Sequence, residues 1–282
     1  NFFYRPYNGN VVKAVDYELS RGCPYTCTYC VETVIQEYYG FNKIVGNGVL
    51  RNAKKYLRNK SAGRIFEEMN SLYLKFGIEY FRCQDTNFLT IDQHTLKSLS
   101  QLIESSKLSI KLYIETRPET VRKSMIKIMK SLNIDGVGMG VELASEDFRK
   151  TNLNRYPSQS KIINAFNLLK EEGIKRTAYN IIGLPNETEE MILETIKFNQ
   201  ILNPDNITVA FYSPYIGTKE QDKSTKHDYF EKYEYDVDGQ IRSLSHSRLV
   251  NNKTLNFYKE HFNYLVKNGI DNLDKLKRNA GL

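Results

Sequence analysis

Three of the four cysteines in the chain, Cys23, Cys27 and Cys30, lie within eight consecutive positions. Thiolates this close together repel one another and oxidise readily, and a bound metal relieves both problems by sharing their charge. Four-iron clusters and structural zinc sites usually have four protein ligands, whereas this C-x3-C-x2-C spacing supplies three. The sequence therefore predicts a metal site with one coordination position open to a small molecule.

The remaining cysteine, Cys83, ends an apolar run at residues 78–83 that is typical of a strand, so we expect a buried and unreactive thiol there. A zinc site would need a nearby histidine, and all four histidines lie far downstream of the cysteine loop. A zinc knuckle, a disulfide pair with a spare thiol and a chance cluster are the alternative interpretations of the loop.

Residues 20–30 resemble the cluster-binding loop of the radical S-adenosylmethionine enzymes, both in the Gly22-Cys23-Pro24 opening and in the aromatic Tyr29 before the last cysteine. The resemblance implies that the three cysteines hold a [4Fe-4S] cluster whose open iron chelates the amino and carboxylate groups of S-adenosylmethionine. It implies an enzyme that cleaves this cofactor reductively to a 5′-deoxyadenosyl radical, which abstracts hydrogen from a substrate.

The elements around the loop alternate between strand and helix. Residues 11–19 alternate in polarity as a strand does, and the loop follows at the strand's carboxyl end. Residues 31–60 look irregular, with glycine breakers. Helical spacing over 61–76 ends at Gly77, and further helix starts are predicted at a Thr90 to Gln93 capping box, at Pro118, and at Asn186 with Glu189. The later strands are predicted at 78–83, 108–114, 135–142, 174–182 and 207–212.

Six strands that alternate with helices predict an α/β fold with a parallel sheet, namely a partial (β/α)6 barrel. The radical enzymes that the loop resembles have such a six-unit partial barrel, although the pattern alone also allows a doubly wound sheet. We expect one barrel domain over residues 1–217 and a C-terminal helical extension over 218–282. Its clearest amphipathic helix, at 252–267, is expected to pack on the barrel.

Polar residues follow the predicted second and third strands. Asp85 and Asn87 come after the second strand, where the resembling family has a group that receives the methionine ammonium. Glu115 and Arg117 follow the third strand and suit ammonium and carboxylate groups respectively. The alternatives are that Asp85 is a solvent-facing turn residue, and that Glu115 and Arg117 form a structural ion pair with a neighbouring loop.

The fourth strand has glycine at every second position, at Gly136, Gly138 and Gly140, so one face of it is open to close approach. Glu142 ends this strand and resembles the family position that binds the ribose hydroxyls or the methionine part of the cofactor. The turn after the fifth strand resembles the family's adenine-binding edge. Its candidate cofactor residues, beside Tyr29 in the cysteine loop, are Ile181, Gly183 and Pro185.

Residues 85–88, 115–117 and the Tyr212-Ser213-Pro214-Tyr215 segment resemble the cobalamin-linked branch, whose members often methylate unreactive carbon. That branch carries its cobalamin-binding domain upstream, so cobalamin use requires a domain before Asn1. The alternatives are a radical enzyme without cobalamin, such as a methylthiotransferase-like RNA-modifying enzyme, and a non-catalytic iron–sulfur or zinc module. A methylthiotransferase would need cysteines for a second cluster, which this sequence lacks.

The net charge of +7 arises from 40 basic residues scattered among 33 acidic ones. The densest basic run, at residues 51–60, is typical of a solvated face, so a small-molecule substrate is favoured over a nucleic acid. The resemblance implies an electron donor such as flavodoxin or ferredoxin. No apolar run approaches the ~18 residues of a membrane span and no secretory signal is visible, so with its free thiols the chain is expected in the cytoplasm.

Overall fold

The structure is a computed structural model that describes residues 3–7, 10–226 and 252–282. The part of the predicted C-terminal extension between 227 and 251 lies outside the described residues. The strands are β1 Tyr4–Tyr7, β2 Asn10–Tyr17, β3 Ser20–Arg21, β4 Ile44–Val45, β5 Val49–Leu50, β6 Arg58–Asn59, β7 Tyr80–Cys83, β8 Lys111–Thr116, β9 Ile134–Glu142, β10 Lys175–Ile182 and β11 Asn206–Phe211. The helices are α1 Val31–Tyr38, α2 Ala53–Tyr56, α3 Ala62–Phe76, α4 Gln93–Ser106, α5 Lys123–Ser131, α6 Glu146–Thr151, α7 Gln159–Glu171, α8 Glu189–Leu202, α9 Lys219–Lys226, α10 Asn252–Asn268 and α11 Leu273–Asn279.

Seven strands form one sheet in the order β1, β2, β7, β8, β9, β10, β11. The neighbours β2, β7, β8 and β9 pair in parallel, and each parallel step is made through at least one helix. This arrangement confirms the predicted α/β class and the partial β/α barrel with its C-terminal helices. The sequence did not predict β1, a four-residue strand that pairs antiparallel with β2 at the edge of the sheet.

The chain divides into two compact units, each made of several stretches. The first unit comprises Asn1–Pro24, Asn52–Met139 and Asn164–Thr177, and the second comprises Tyr25–Arg51, Gly140–Ile163 and Ala178–Leu282. The predicted division into a barrel and an extension after residue 217 stays a prediction.

In the first unit, helix α3 begins and ends as its sequence predicts. The Ser61 side chain accepts a hydrogen bond from the backbone amide of Arg64, and Gly77 ends the helix in the left-handed conformation at φ +66°. Strand β8 buries alternate residues, Leu112 and Ile114, so its periodicity of two sets the core face of this part of the sheet.

Three predicted helix starts are wrong. Asp92, not Thr90, caps α4, because residues 88–90 form a 3₁₀ turn and the Asp92 carboxylate accepts from the backbone amide of Thr95 at 3.1 Å. Pro118 likewise begins a 3₁₀ turn, and α5 starts at Lys123. Thr188 caps α8 in place of Asn186, which adopts a positive φ of 66° in the turn before the helix.

Residues 31–60 are also more regular than predicted, since they contain α1, the β4–β5 hairpin and the short helix α2. In the second unit, α10 realises the predicted amphipathic helix. It buries Leu255, Tyr258 and Phe262 in an apolar cluster with Ile196 of α8 and Phe211 of β11. No helix in the described residues is long and apolar enough to cross a membrane.

Candidate active site

In the second unit, the cysteine loop is fixed by backbone hydrogen bonds to two other segments. The amide of Thr26 donates to the carbonyl of Gly48 at 2.9 Å, and the amide of Thr28 donates to the carbonyl of Leu153 at 3.3 Å. The Asn154 side chain donates to the Thr26 carbonyl at 2.8 Å. Gly48 is required here, because a Cβ at this position would lie 2.8 Å from the Asn154 carbonyl oxygen.

Cys27 and Cys30 stand on one turn of this loop. The amide of Cys30 donates to the Cys27 carbonyl at 3.2 Å, and Cys30 is the N-cap residue that precedes α1. Cys27 is buried, and Cys30 is partly exposed. Burial, followed by the neighbouring Cys27, raises the pKa of Cys30 to about 12, so the free thiol keeps its proton at neutral pH. A bound metal cation reverses this preference, because it binds the thiolate.

Tyr29, Glu142 and Arg155 form a buried polar cluster beside these cysteines. The Tyr29 hydroxyl donates to Glu142 Oε1 at 2.9 Å, and Arg155 Nη1 lies 3.3 Å from the same carboxylate oxygen. Side-chain exposure is 4% for Arg155 and 8% for Glu142, so the ion pair is shielded from water. Burial raises the pKa of Tyr29 well above its ordinary value, so the phenol stays neutral and donates.

The backbone at the end of β9 is shaped to hold the Glu142 carboxylate. Glu142 has a φ of +64°, a left-handed conformation that is uncommon for a residue with a side chain. A Cβ at Gly140 would overlap the Glu142 carboxylate and lie 3.4 Å from Arg155 Nη2. Gly140 therefore leaves the space that the Glu142 carboxylate occupies. At this glycine, the group that approaches the strand closely is the Glu142 side chain.

An apolar cluster places Tyr29 near the turn that follows β10. Tyr29 and Ile181 pack with the buried side chains of Leu143, Leu184 and Tyr212. Tyr29 of the cysteine loop and Ile181 next to the turn, which were predicted from separate parts of the sequence, therefore pack in the same apolar cluster. Tyr212 is buried in this cluster, in keeping with an aromatic that packs in the interior.

The turn after β10 is held by a glutamate that sequence reasoning did not select. Glu187 Oε2 accepts from the backbone amides of Gly183 at 2.5 Å and Leu184 at 3.2 Å. Gly183 has a φ of +81°, which glycine tolerates, and Pro185 is buried. Glu187 is 2% exposed, and its Oε1 has no hydrogen-bond partner in the structure. Burial raises its pKa to about 8, and the two amide hydrogen bonds oppose that shift.

In the first unit, Asp85 does not face solvent as a turn residue would. It is 1% exposed, and its Oδ1 accepts at 2.5 Å from both the amide and the hydroxyl of Ser20, while Oδ2 lies 3.4 Å from the amide of Leu19. Burial raises the pKa of Asp85 above its ordinary value, and these hydrogen bonds partly oppose the rise. The carboxylate thus fixes the backbone that leads into the cysteine loop, rather than standing free for an ammonium group.

Asn87 lies in a buried network at the carboxyl end of β8. Its Oδ1 accepts from the Thr116 hydroxyl at 2.5 Å, and the Thr116 and Thr120 hydroxyls are 2.7 Å apart. Asn87 is 1% exposed, yet its Nδ2 has no hydrogen-bond partner in the structure. A buried amide donor without an acceptor is costly, so this site fits a ligand that brings an acceptor group.

Glu115 and Arg117 are each paired with another residue of the first unit. Glu115 accepts from Arg82 Nη2 at 3.1 Å, and Arg117 Nη2 lies 2.5 Å from Glu119 Oε1. Arg117 is buried, whereas Glu119 and Glu115 are partly exposed. Both residues therefore take part in ion pairs within the first unit, although not with a neighbouring loop, and their predicted cofactor roles stay predictions.

The chemistry of the donor set fits an iron–sulfur cluster. All four cysteines are free thiols, and Cys83 is fully buried in β7, as predicted. Within the described ranges, no three His, Cys, Asp or Glu side chains come close enough to hold a single metal ion. In a four-iron cluster each thiolate ligand binds a different iron, so the ligands stand farther apart than those of a single ion. Cys23, Cys27 and Cys30 as its ligands stay a prediction that rests on their chemistry and spacing.

Arg155 is the clearest site residue that the sequence did not reveal. It lies in the segment between α6 and α7, without periodicity or a motif to distinguish it. Its position depends on that segment folding back onto the cysteine loop. The Leu153-Asn154-Arg155 sequence, with an arginine in an otherwise uncharged turn, was the only available signal.

One family model and several curated proteins match most of this chain. The model of the Radical SAM superfamily matches residues 17–198. A protein named as an uncharacterized methyltransferase of Pyrococcus horikoshii is 29% identical over 203 residues, which are 71% of this chain and 39% of that protein. An anaerobic magnesium-protoporphyrin IX monomethyl ester cyclase of Rubrivivax gelatinosus is 25% identical over 216 residues, 76% of this chain and 35% of that protein.

Among solved structures, the radical S-adenosylmethionine methyltransferase TsrM of Kitasatospora setae, bound to cobalamin and a [4Fe-4S] cluster, has the same fold. The TM-score is 0.62 at 15% identity, over 86% of this chain and 43% of TsrM. The chain thus spans about two fifths or less of the two curated relatives, so it corresponds to one part of such proteins. Because the family model matches well over half of the sequence, the chain belongs to the radical SAM superfamily, whose members use a [4Fe-4S] cluster and S-adenosylmethionine.

Proposed function

We propose that Cys23, Cys27 and Cys30 hold a [4Fe-4S] cluster and that the chain cleaves S-adenosylmethionine on it. The observation that carries this proposal is a loop of three free thiols that follows β2, the first parallel strand of a radical SAM domain, after the short strand β3. When bound, the cluster supplies one electron that breaks a sulfur–carbon bond of S-adenosylmethionine, giving methionine and a 5′-deoxyadenosyl radical that abstracts hydrogen from the substrate. The protein's share is to bind and orient these groups.

The residues of the second unit are suited to the nucleoside part of S-adenosylmethionine. Tyr29 and Ile181 offer an apolar wall, and the Gly183 turn offers backbone at its edge, where Glu187 fixes it. Glu142 presents a carboxylate that can accept hydrogen bonds from ribose hydroxyls. Its left-handed backbone and the missing side chain at Gly140 hold that carboxylate in one place.

In the first unit, Asn87 is suited to the methionine part. Its unpartnered Nδ2 can only donate, so it fits the methionine carboxylate and not the ammonium. We assign Asp85 a positioning role at Leu19 and Ser20, because its carboxylate oxygens already accept there.

The test uses four variants, each with one cysteine replaced by alanine, and measures iron and sulfide after anaerobic reconstitution. Loss of the cluster in the Cys23, Cys27 and Cys30 variants, with full iron in Cys83→Ala, supports the proposed ligands. Cys83 is the matched control because its thiol is buried in β7. Loss of iron in Cys83→Ala would instead indicate four thiolate ligands, as in a non-catalytic cluster module.

We further propose that the radical serves methylation with cobalamin. The support is the relative named as a methyltransferase, together with the segments around Asp85, Glu115 and Tyr212 that resemble the cobalamin-linked branch. TsrM binds cobalamin, and its likeness to this chain is one of fold. Gel filtration of the protein, expressed from its complete reading frame, with hydroxocobalamin tests this step. Co-elution supports it, and S-adenosylmethionine cleavage without cobalamin binding favours the cobalamin-free alternative.

A further inference from the structure

Arg155 is held by several contacts within the second unit, one of which is to a predicted cluster ligand. Its Nη2 donates to the Gly140 carbonyl at 2.6 Å, and its Nη1 lies 3.3 Å from both Glu142 Oε1 and the Tyr29 hydroxyl. The same Nη1 lies 3.9 Å from Cys27 Sγ, within hydrogen-bond range for sulfur. A planar guanidinium held on two sides in this way has little freedom to move.

We propose that Arg155 is a positioning residue that raises the reduction potential of the cluster through an N–H···S hydrogen bond to Cys27. This inference rests on the proposed function, because it needs a cluster on that thiolate. Hydrogen bonds to ligand sulfurs and the local charge are the means by which a protein sets the potential of an iron–sulfur cluster. Reduction adds one negative charge to the cluster, and a buried cation at the sulfur stabilises that charge.

Glu142 provides a second test, because its negative charge offsets the positive charge of the Arg155 guanidinium. Its carboxylate lies against Arg155 Nη1, and both side chains are at least nine-tenths buried. The field at Cys27 therefore comes from a cation whose charge is partly offset by its own partner. Removing the cation should lower the potential, and removing the anion should raise it. Packing alone gives no reason for these two opposite changes.

The experiment is a redox titration of the reconstituted protein without S-adenosylmethionine, followed by electron paramagnetic resonance of the reduced cluster. At the wild-type midpoint potential, the ratio of reduced to oxidised cluster should fall about tenfold in Arg155→Met, which is about 59 mV for one electron. Arg155→Lys, which retains the charge, should lose less. In Glu142→Gln the ratio should rise.

An unchanged midpoint in Arg155→Met at full iron content would overturn the proposal, as would a midpoint shifted to higher potential. If Arg155→Met fails to hold its cluster, Glu142→Gln decides alone, and an unchanged or lower midpoint in that variant overturns the proposal. If the wild-type protein binds iron and gives the signal of a reduced cluster, the proposed cluster is supported, whatever the midpoint potentials of the variants. A wild-type protein that binds no iron refutes the proposed function itself.

Discussion

Glu187 makes the stability of the chain depend on pH in a way that one substitution can isolate. The carboxyl group is buried behind the Gly183 turn, where burial raises its pKa to about 8. In the unfolded chain its pKa returns to the ordinary value near 4.5. Between these two values the folded state holds a proton that the unfolded state has released, so the free energy of unfolding falls as the pH rises through this window.

The slope is about 1.4 kcal/mol per pH unit for one group, which gives a loss of about 3 kcal/mol between pH 5 and pH 7. Glu187→Gln does not titrate, and its amide oxygen can accept the same two hydrogen bonds from Gly183 and Leu184. We therefore expect the free energy of unfolding of Glu187→Gln, relative to that of the wild type, to rise by about 3 kcal/mol between pH 5 and pH 7. For a chain of this length the gain corresponds to a relative shift of about 6 °C in Tm.

The assay is urea unfolding of the metal-free wild type and of Glu187→Gln, followed by circular dichroism at pH 5, 6, 7 and 8. Other groups titrate in both proteins, so the difference between the two curves isolates Glu187. Stability curves that stay parallel from pH 5 to pH 8 would refute the reasoning, because they would show that Glu187 ionises in the folded protein as it does in water.

Three further predictions concern packing and positioning. Gly140→Ala should displace the Glu142 carboxylate, lower the free energy of unfolding by about 1–3 kcal/mol and weaken the binding of S-adenosylmethionine, as measured by urea unfolding and by calorimetry. Gly63→Ala, in open space on helix α3, is the matched control and should raise the free energy of unfolding by about 0.5–1 kcal/mol, so an equal effect of both substitutions would contradict this prediction. Asp85→Ala should lower the free energy of unfolding by about 2–4 kcal/mol and reduce iron incorporation. Asp85→Asn should cost clearly less, because its amide oxygen can still accept both Ser20 hydrogen bonds. An iron content equal to wild type in Asp85→Ala would argue against the positioning role. Phe262→Ala should cost about 3–5 kcal/mol in urea unfolding, because the ring is fully buried between α10 and the last strands, and a loss below about 1 kcal/mol would show that α10 does not pack there.

Periodicity was sufficient to predict the six strands β2 and β7 to β11, because patterns such as the alternation of buried residues in β8 and the helical spacing of α3 are visible in short stretches of sequence. The family was also recognisable from the cysteine loop, because three thiols in eight positions have few explanations other than a metal. Helix starts were less predictable. Thr90 and Asp92 both satisfy the capping rule, and only the 3₁₀ turn at residues 88–90 decides between them.

The polar contacts of the site depend on chain segments that meet far from one another in sequence. Asp85 turns to Ser20, 65 residues earlier, and Arg155 reaches Cys27, 128 residues earlier. No local pattern encodes such pairs, so the sequence placed Asp85 at a strand end without showing its partner and did not reveal Arg155. The left-handed backbone of Glu142 was not predicted for a different reason, since a residue with a side chain rarely adopts a positive φ.

The most direct measurement is the release of 5′-deoxyadenosine by the reconstituted, dithionite-reduced protein in the presence of S-adenosylmethionine. It should be followed by chromatography alongside iron content. We expect wild type and Cys83→Ala to release the nucleoside and Cys27→Ala to release none. If the wild-type protein holds a full four-iron cluster and takes up electrons, yet releases no 5′-deoxyadenosine, these three cysteines do not leave one iron open to S-adenosylmethionine.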